Sequence, residues 1–351
     1  MLLIRADGNA RIGVGHLMRC LTIAEEVAAL QGAREHICFL CAEEPSAELV
    51  GEHHFMSRTL GTDYRNMESE LPLWQQAETL CKTDGISRNV ILVDSYCVTE
   101  FYLAELKKLG YVVLMDDLGR QCYSVDCVIN YNAPASMEAY RELYRGRNTR
   151  LLIGSSYVPL RRQFLDRRRL DSAEEVRNVL ITTGGGDVEN IAGKILRKIY
   201  KREIRYHIVI GQFNPHYREM KELEEDFDNI QICHNVVDMA GLMCSCDIAV
   251  TAGGSTVYEL AALGVPLICF SYAENQEALA EYIGNRSIAC SAGAWHRDAA
   301  GTLERIDELF EELTGDREKR VQCSQNERAM VDGQGAIRLA RALNAVEAMK
   351  R

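Results

Sequence analysis

Two segments, NVILVD at 89–94 and YVVLMDD at 111–117, are apolar almost without a break until an aspartate ends them. A strand with one face in water alternates apolar and polar side chains, so a strand that is apolar throughout has to be covered on both faces. A parallel sheet with helices above and below meets that demand, and the flanking sequence supplies the helices. MLLIRA, a predicted helix from about His16 to Gln31, HICFLCA, a helical region through the 70s and NVILVD follow one another. A helix near 99–109, YVVLMDD, CVINYN and LLIGSSY complete the series. This βαβ alternation makes the chain α/β.

The pattern breaks at VPLRRQFLDRRRLDSAEEV, where Arg161, Arg162, Arg167, Arg168 and Arg169 surround Pro159 in a polar stretch, and then resumes. RNVLITTGGGD, a helix from about Asn190 to Lys201, IRYHIVIG, a helix near 216–225, IQICHNV, a short helix at 238–245 and CDIAVTAGG form the first part of the second series. A helix from about Ser255 to Leu263, VPLICFSY, a helix from Gln276, SIACSAG and helices from about 298 form the rest. We therefore expect an amino-terminal Rossmann-like domain over 1–157, a linker over 158–172 and a second Rossmann-like domain over 173–351. Their mainly parallel sheets are expected to face each other across a cleft, with the ligand beyond the carboxyl ends of both sets of strands.

Composition removes several function classes. The longest apolar stretch, LAALGVPLICFSYA at 260–273, is too short for a bilayer and is interrupted by Gly264 and Pro266. The start, MLLIRAD, meets Arg5 and Asp7 before it could form a signal-peptide core. The expectation is a cytoplasmic protein without a membrane partner. Forty Lys and Arg against 51 Asp and Glu give a formal charge of -11, which would repel a polyphosphate backbone, so no nucleic-acid partner is expected. Thirteen cysteines scattered through apolar runs read as reduced thiols rather than a disulfide framework. Cys38 and Cys41, the C-x-x-C pair, lie in a predicted strand where residues three apart point to opposite faces, which argues against a metal or redox role. No cofactor, no metal and a monomer are the expectations.

Three segments carry candidate chemistry. In RADGNARIGVGHLMRCLTIAEEV at 5–27 a strand ends at Asp7, a glycine-containing loop follows and His16 opens a helix. Gly13 and Gly15 let the backbone approach a ligand closely. A dinucleotide fingerprint would place a third glycine where Met18 stands, so the loop reads as a substrate loop. His16 sits where strand, loop and helix start converge. The positive end of the helix disfavours imidazolium there, which leaves the ring able to accept a proton. A lone histidine is more often structural; the surrounding glycines turn the balance towards a catalytic base.

In ITTGGGDVENIAGKIL at 181–196, a strand, three glycines and a helix give backbone N–H groups a route to phosphate through Gly184 and Gly185, although a tight turn explains the same sequence. No Lys-Ser/Thr follows, so ATP hydrolysis is disfavoured. In CDIAVTAGGSTVYELAALGVPLICFSYAENQ at 246–276, a strand stops at Gly253 and Gly254, and Ser255 or Thr256 is expected to cap a helix whose dipole suits a diphosphate. Glu259, about one turn on, is placed to take two ribose hydroxyls, and Asn275 and Gln276 stand at the next helix start. Plain βαβ structure with polar turns is the bland alternative. Asp94, Ser95 and Tyr96 after VILV, and Asp116 and Asp117 after VVLM, are strand-end residues that serve equally as site groups or as caps. Asp94 and Tyr96 count among the substrate-binding candidates; the roles of Asp7, Asp116 and Asp117 stay open.

These segments together resemble a known family. R-A-D-G-N-x-x-I-G-x-G-H-x-M-R-C-L at 5–21, V-D-S-Y at 93–96, D-D-L at 116–118, V-P-L-R-R-Q-F at 158–164 and T-A-G-G-S-T-x-Y-E-L-A-A-L-G-V-P with A-E-N-Q look like the PseG family. Its members are UDP-2,4-diacetamido-2,4,6-trideoxy-β-L-altropyranose hydrolases of pseudaminic acid biosynthesis. The resemblance covers nearly the whole chain, and the block at 251–276 is shared with MurG-like glycosyltransferases. It implies a GT-B fold and a metal-independent hydrolase that releases UDP, by water attack at the anomeric carbon with inversion. The family's general base falls on His16, its UDP-binding segment on Gly253, Gly254, Ser255 and Glu259, and its sugar-proximal Asn on Asn275. Ser95 stands where the family usually carries His, and Tyr131-Asn132 where Gln-Asn is usual, which bears on the identity of the sugar. The competing readings are a MurG-like glycosyltransferase using a UDP-sugar donor and a non-catalytic UDP-sugar binding protein. The absence of an apolar or basic acceptor cluster in the amino-terminal sequence favours water as the acceptor.

Overall fold

Neighbouring residues of the first strand, β1 (Leu2–Ala6), enter different layers: Leu2, Ile4 and Ala6 join one apolar cluster while Leu3 joins another with Met1. Strand β4 (Asn89–Asp94) divides in the same way, with Val90 and Leu92 on one side and Ile91 and Val93 on the other. Side chains alternate across a strand, so continuous apolar sequence becomes a sheet covered on both faces. The computed structural model describes residues 1–9, 12–74, 89–165, 167, 173–184, 187–211 and 214–348.

The remaining strands of this sheet are β2 (Ile37–Cys41), β3 (Met56–Thr59), β5 (Gly110–Met115), β6 (Cys127–Asn130) and β7 (Arg150–Ile153). Among the described residues the sheet has the order β3-β2-β1-β4-β5-β6-β7, and every pairing is parallel. One layer is built from Leu17, Leu21, Ala24 and Val27 of the helix Gly15–Gln31; the other uses Tyr102, Leu103 and Leu106 of the helix Glu100–Leu109. Cys38 lies in the second layer and Cys41 in the first, so the C-x-x-C residues do face apart.

The second sheet contains β8 (Asn178–Thr182), β9 (Arg205–Ile210), β10 (Ile230–His234), β11 (Ile248–Ala252), β12 (Leu267–Ser271) and β13 (Cys290–Ala294) in the order β10-β9-β8-β11-β12-β13, again all parallel. Each sheet reverses its strand order once, between β1 and β4 and between β8 and β11. At such a switch point the connections leave to opposite faces and open a crevice beyond the carboxyl ends of the strands. Both units are thus Rossmann-like, as the alternation predicts.

The predicted domain limits need one correction. One unit contains Met1–Pro159 together with Gln334–Arg351, and the other contains Leu160–Gly333. The last helix, Gly335–Ala348, therefore belongs to the amino-terminal unit and not to a domain spanning 173–351. Its Leu339, Ala340, Leu343 and Val346 complete the same apolar cluster as Leu17 and Leu21. Leu160 and Phe164, inside the predicted linker, are buried in the second unit, whereas 166 and 168–172 lie outside the described residues.

Three further elements escaped the sequence pattern: the helix Glu44–Glu52, edge strand β3 and the helix Met137–Leu143. Strand β3, with the sequence MSRT, is largely exposed, so it lacks the apolar run that marks its neighbours. Of the helical region predicted through the 70s, 71–74 are helical and 75–88 lie outside the described residues. Among the described residues no helix is long and apolar enough to cross a membrane.

Candidate active site

The switch point of the first sheet lies where β1 and β4 end. The helix Gly15–Gln31 starts there, so His16 occupies its first turn. The intervening loop folds onto the helix start: Asn9 and Gly13 form a two-residue bridge, and Gly13 adopts φ 74, a left-handed conformation that favours glycine. Gly15 has open space where a Cβ would project.

His16 Nδ1 lies 2.6 Å from Asp94 Oδ1, at the end of β4. A carboxylate on Nδ1 accepts its proton and leaves the lone pair on Nε2, the tautomer a general base requires. Asp94 also accepts from Arg19 Nε and NH2, both at 2.5 Å, and from the Cys20 thiol at 3.5 Å. The Asp94 side chain is 1% exposed. Burial by itself would raise its carboxyl, but the charge of Arg19 and the hydrogen bonds from Arg19 and His16 outweigh that and hold it well below the usual carboxylate range. Asp94, a substrate-binding candidate in the sequence, is instead buried and engaged by protein groups.

Arg19 reaches further. Its NH1 donates to Asp117 Oδ1 at 3.0 Å and to the Tyr131 hydroxyl at 2.8 Å. Burial opposes the guanidinium charge, yet Asp94 and Asp117 hold it well above its usual value. Asp117 in turn accepts the Tyr96 hydroxyl at 2.9 Å, and the Tyr96 ring packs edge-on to His16 with 4.6 Å between centroids. Tyr96 remains 58% exposed, so of the two candidates after VILV it is the one that faces solvent. Beside it opens a cavity of about 180 Å³ lined by Ser95, Tyr96, Asp117, Leu118 and Arg120.

The other open carboxylates are structural. Asp7 accepts the Ala42 N–H at 2.8 Å and the guanidinium of buried Arg5, whose Nε also binds Glu70 at 2.8 Å. Asp116 accepts the Tyr140 hydroxyl at 2.9 Å and the N–H groups of Leu118 and Gly119.

In the second unit two helix starts compete as anion sites. After β8, Gly184 has φ 89; Gly185 lies outside the described residues. The helix Ile191–Ile199 that follows is already satisfied: Asp187 accepts the N–H groups of Ile191 at 2.7 Å and Ala192 at 2.8 Å, and Asn190 accepts that of Gly193 at 3.1 Å. A carboxylate thus already serves the first turn of this helix, which leaves only the glycine backbone for the expected phosphate contact.

The helix Thr256–Leu263 after β11 differs. Ser255 holds the capping position but makes no side-chain hydrogen bond to the first turn, correcting the expected cap and leaving that end for another acceptor. Gly253 approaches its neighbours closely, since a Cβ there would lie 3.1 Å from the Gln276 carbonyl oxygen, while Gly254 faces open space. Thr256 is half-buried beside them. Glu259, in the first turn, is paired through Oε1 with Arg161 at 3.2 Å and is 18% exposed. Burial raises its carboxyl and Arg161 offsets part of that effect. Gln276 Oε1 accepts the Tyr272 N–H at 3.1 Å, so this candidate's carbonyl supports the loop; Asn275 is exposed in the first turn of the helix Glu274–Asn285.

The sequence reading gave no site role to Arg19, placed Arg161 only in a polar linker, and met Tyr131 only as a departure from the family pattern. Arg19 was detectable, because a residue three positions after His16 shares its helix face; the partners that define its role come from distant strands. Among the described residues, no group of three or more His, Cys, Asp and Glu side chains converges as a metal ion requires.

Comparisons with known proteins agree with this architecture. A family model described as "Protein of unknown function (DUF354)" matches residues 182–292. The chain is 26% identical to the spore coat polysaccharide biosynthesis protein SpsG of Bacillus subtilis over 96% of its own length and 95% of the relative's. It is 22% identical to the UDP-2,4-diacetamido-2,4,6-trideoxy-beta-L-altropyranose hydrolase of Campylobacter jejuni, over 81% of this chain and 96% of that one. An uncharacterized protein of Methanocaldococcus jannaschii is 23% identical over 76% of this chain, which spans about half, 54%, of that relative's length. Among solved structures, MurG of Acinetobacter baumannii superposes with a TM-score of 0.67 at 15% identity, covering 98% of this chain and 99% of that one. Its two Rossmann-like domains place this chain in the GT-B fold, and its relatives include nucleotide-sugar-processing enzymes.

Proposed function

We propose that this protein hydrolyses a UDP-sugar, releasing UDP, with UDP held by the carboxyl-terminal unit and water activated by His16. The observation that carries the reading is the 2.6 Å contact between His16 Nδ1 and Asp94, a buried, charged support that favours the tautomer with its lone pair on Nε2. Water gives its proton to Nε2 as its oxygen bonds to the anomeric carbon; the C–O bond to the diphosphate breaks and its electron pair leaves with UDP. Attack on the face opposite the leaving group inverts the anomeric centre.

The uncapped start of the helix Thr256–Leu263, with Gly253, Gly254, Ser255 and Thr256, suits the diphosphate, and Glu259 suits the ribose hydroxyls. Tyr96 and the loop of Gly13 and Gly15 supply the sugar side; Asn275 is assigned there on the family resemblance. Asp94 acts as a positioning residue. No metal ion is needed in this scheme, because backbone N–H groups and a helix dipole meet the diphosphate charge. The resemblance to the PseG family and the Campylobacter jejuni relative support a diacetamido-trideoxy-altropyranose as the sugar and pseudaminic acid biosynthesis as the setting.

A glycosyltransferase is the second reading. Ile12 and Val14, on the loop before His16, are 39% and 45% exposed, and apolar side chains there suit an acceptor with an apolar part. Incubation with the UDP-sugar in oxygen-18 water and no acceptor separates the two. Label in the anomeric hydroxyl supports the hydrolase; label in the UDP phosphate means attack at phosphorus and removes the His16 mechanism. Absence of turnover until an acceptor is added favours the transferase.

A further inference from the structure

We propose that Arg19 is a positioning residue for His16, acting beside its ring and through Asp94: its guanidinium supplies the positive charge that lets Asp94 and Asp117 both stay ionised beside an uncharged His16 imidazole. The inference rests on the reading of His16 as a base. It assigns the protonation state of that base to a residue that touches neither water nor sugar in the proposed chemistry.

The geometry is that of a hub. Arg19 grips both oxygens of Asp94 at 2.5 Å, through Nε on Oδ2 and NH2 on Oδ1, and the same NH2 lies 3.1 Å from His16 Nδ1, while NH1 turns to Asp117 at 3.0 Å and Tyr131 at 2.8 Å. Each carboxylate holds a different group on the open side: Asp94 holds His16, and Asp117 holds the Tyr96 hydroxyl. The ionisable groups facing the imidazole are therefore Arg19 on its own helix, Asp94 from the end of β4, Tyr96 from the following loop and, through Arg19, Asp117 beyond β5 and Tyr131 beyond β6. Cys20 donates its thiol to Asp94 from the helix.

The charge count follows directly. With Arg19 present, one cation stands against two carboxylates whose side chains are 1% and 12% exposed. Without it, two nearly buried negative charges share a small volume, and the cluster relieves the repulsion by binding a proton. Whether that proton resides on the imidazole or is shared along the hydrogen bond to Asp94, the lone pair required on Nε2 is lost at pH values where the native protein retains it.

The experiment follows the His16 ring directly, by NMR of protein labelled at histidine ring carbons, in the native chain and in Arg19→Gln. The expected result is a His16 protonation step displaced to higher pH by about one unit or more. Arg19→Lys, which keeps the charge without the fork, is expected to move it less than half as far. Should Arg19→Gln not fold, Asp117→Asn tests the same count with the opposite sign, because removing a carboxylate displaces the step to lower pH. An unchanged step in a folded Arg19→Gln, or an unchanged or upward step in Asp117→Asn, overturns the proposal. Turnover provides the separate check: the acidic limb of kcat/KM should move with the ring, and activity of Arg19→Gln should recover towards the native value as pH rises. A displaced ring titration in a protein without hydrolase activity removes the proposed function and leaves this inference standing; an unmoved titration in an active hydrolase does the reverse.

Discussion

His16 and Asp94, 78 residues apart in sequence, meet at 2.6 Å because β1 and β4 are adjacent parallel strands that end at the same level. The register pairs Ala6 with Asp94, so the helix that starts after the glycine loop begins beside the β4 carboxylate. A residue of the first turn can then lean on the strand-end carboxylate.

Replacing His16 by Asn should test that arrangement with little change of size. Asn cannot accept the proton, and kcat is expected to fall by roughly 10²–10⁴. UDP affinity, measured by calorimetry, should stay within about twofold of native, since His16 lies in the other unit from the predicted UDP groups. A variant with native kcat would remove His16 from the chemistry.

Glu259→Gln should weaken UDP binding by roughly 10- to 100-fold, the worth of charge-assisted hydrogen bonds to a pair of hydroxyls. The same substitution frees Arg161, whose pairing with Glu259 is only partly buried and contributes little to stability. Calorimetry of a folded variant that binds UDP as tightly as the native protein would exclude the ribose role.

Hydrolysis should proceed at the native rate after dialysis against EDTA. The measurement is the rate before and after chelation; a rate abolished by EDTA and restored by magnesium would require a metal-assisted route.

Glu327 gives stability a pH dependence far from the site. It is fully buried; Oε1 accepts the Leu267 N–H at 3.1 Å and Oε2 has no hydrogen-bond partner among the described residues. Burial pushes its carboxyl well above the usual value, with only partial relief from the Leu267 N–H. The folded state therefore holds a proton that the unfolded chain has released, and stability falls as pH rises above the ordinary glutamate range of about 4.3. Urea unfolding at pH 5 and pH 8 should show Glu327→Gln gaining on the native protein at the higher pH. An unchanged difference between the two would contradict the assignment.

Leu339→Ala tests the assignment of the last helix. Leu339 is fully buried in the cluster shared with Leu17 and Leu21, and truncation should cost about 2–5 kcal/mol. The loss should appear in the unfolding of the amino-terminal unit, followed by hydrogen exchange in the helix Gly15–Gln31. Loss confined to the carboxyl-terminal unit would place the helix elsewhere.

What was legible in the sequence is what local periodicity encodes. The apolar runs around Leu3, Leu92 and Val250 announced two-sided parallel strands, and Gly253-Gly254-Ser255 after an apolar run announced a strand-to-helix turn, because each signal lies within a few consecutive residues. Edge strand β3 was invisible, since exposure removes the pattern. Three decisions needed the tertiary structure. Two strand–glycine–helix segments look alike in sequence, yet the Asp187 carboxylate fills one helix start whereas Ser255 leaves the other uncapped. The last helix is amphipathic wherever it packs, and only the complementary surface of Leu17 and Leu21 determines which unit it completes. Arg19 lies three residues from His16, but its carboxylates come from 75 and 98 residues away. Parallel crossovers carry the chain over the sheet and return it to the same edge, so residues remote in sequence become neighbours at adjacent strand ends. That convergence is a property of strand order and register, and no local pattern contains it.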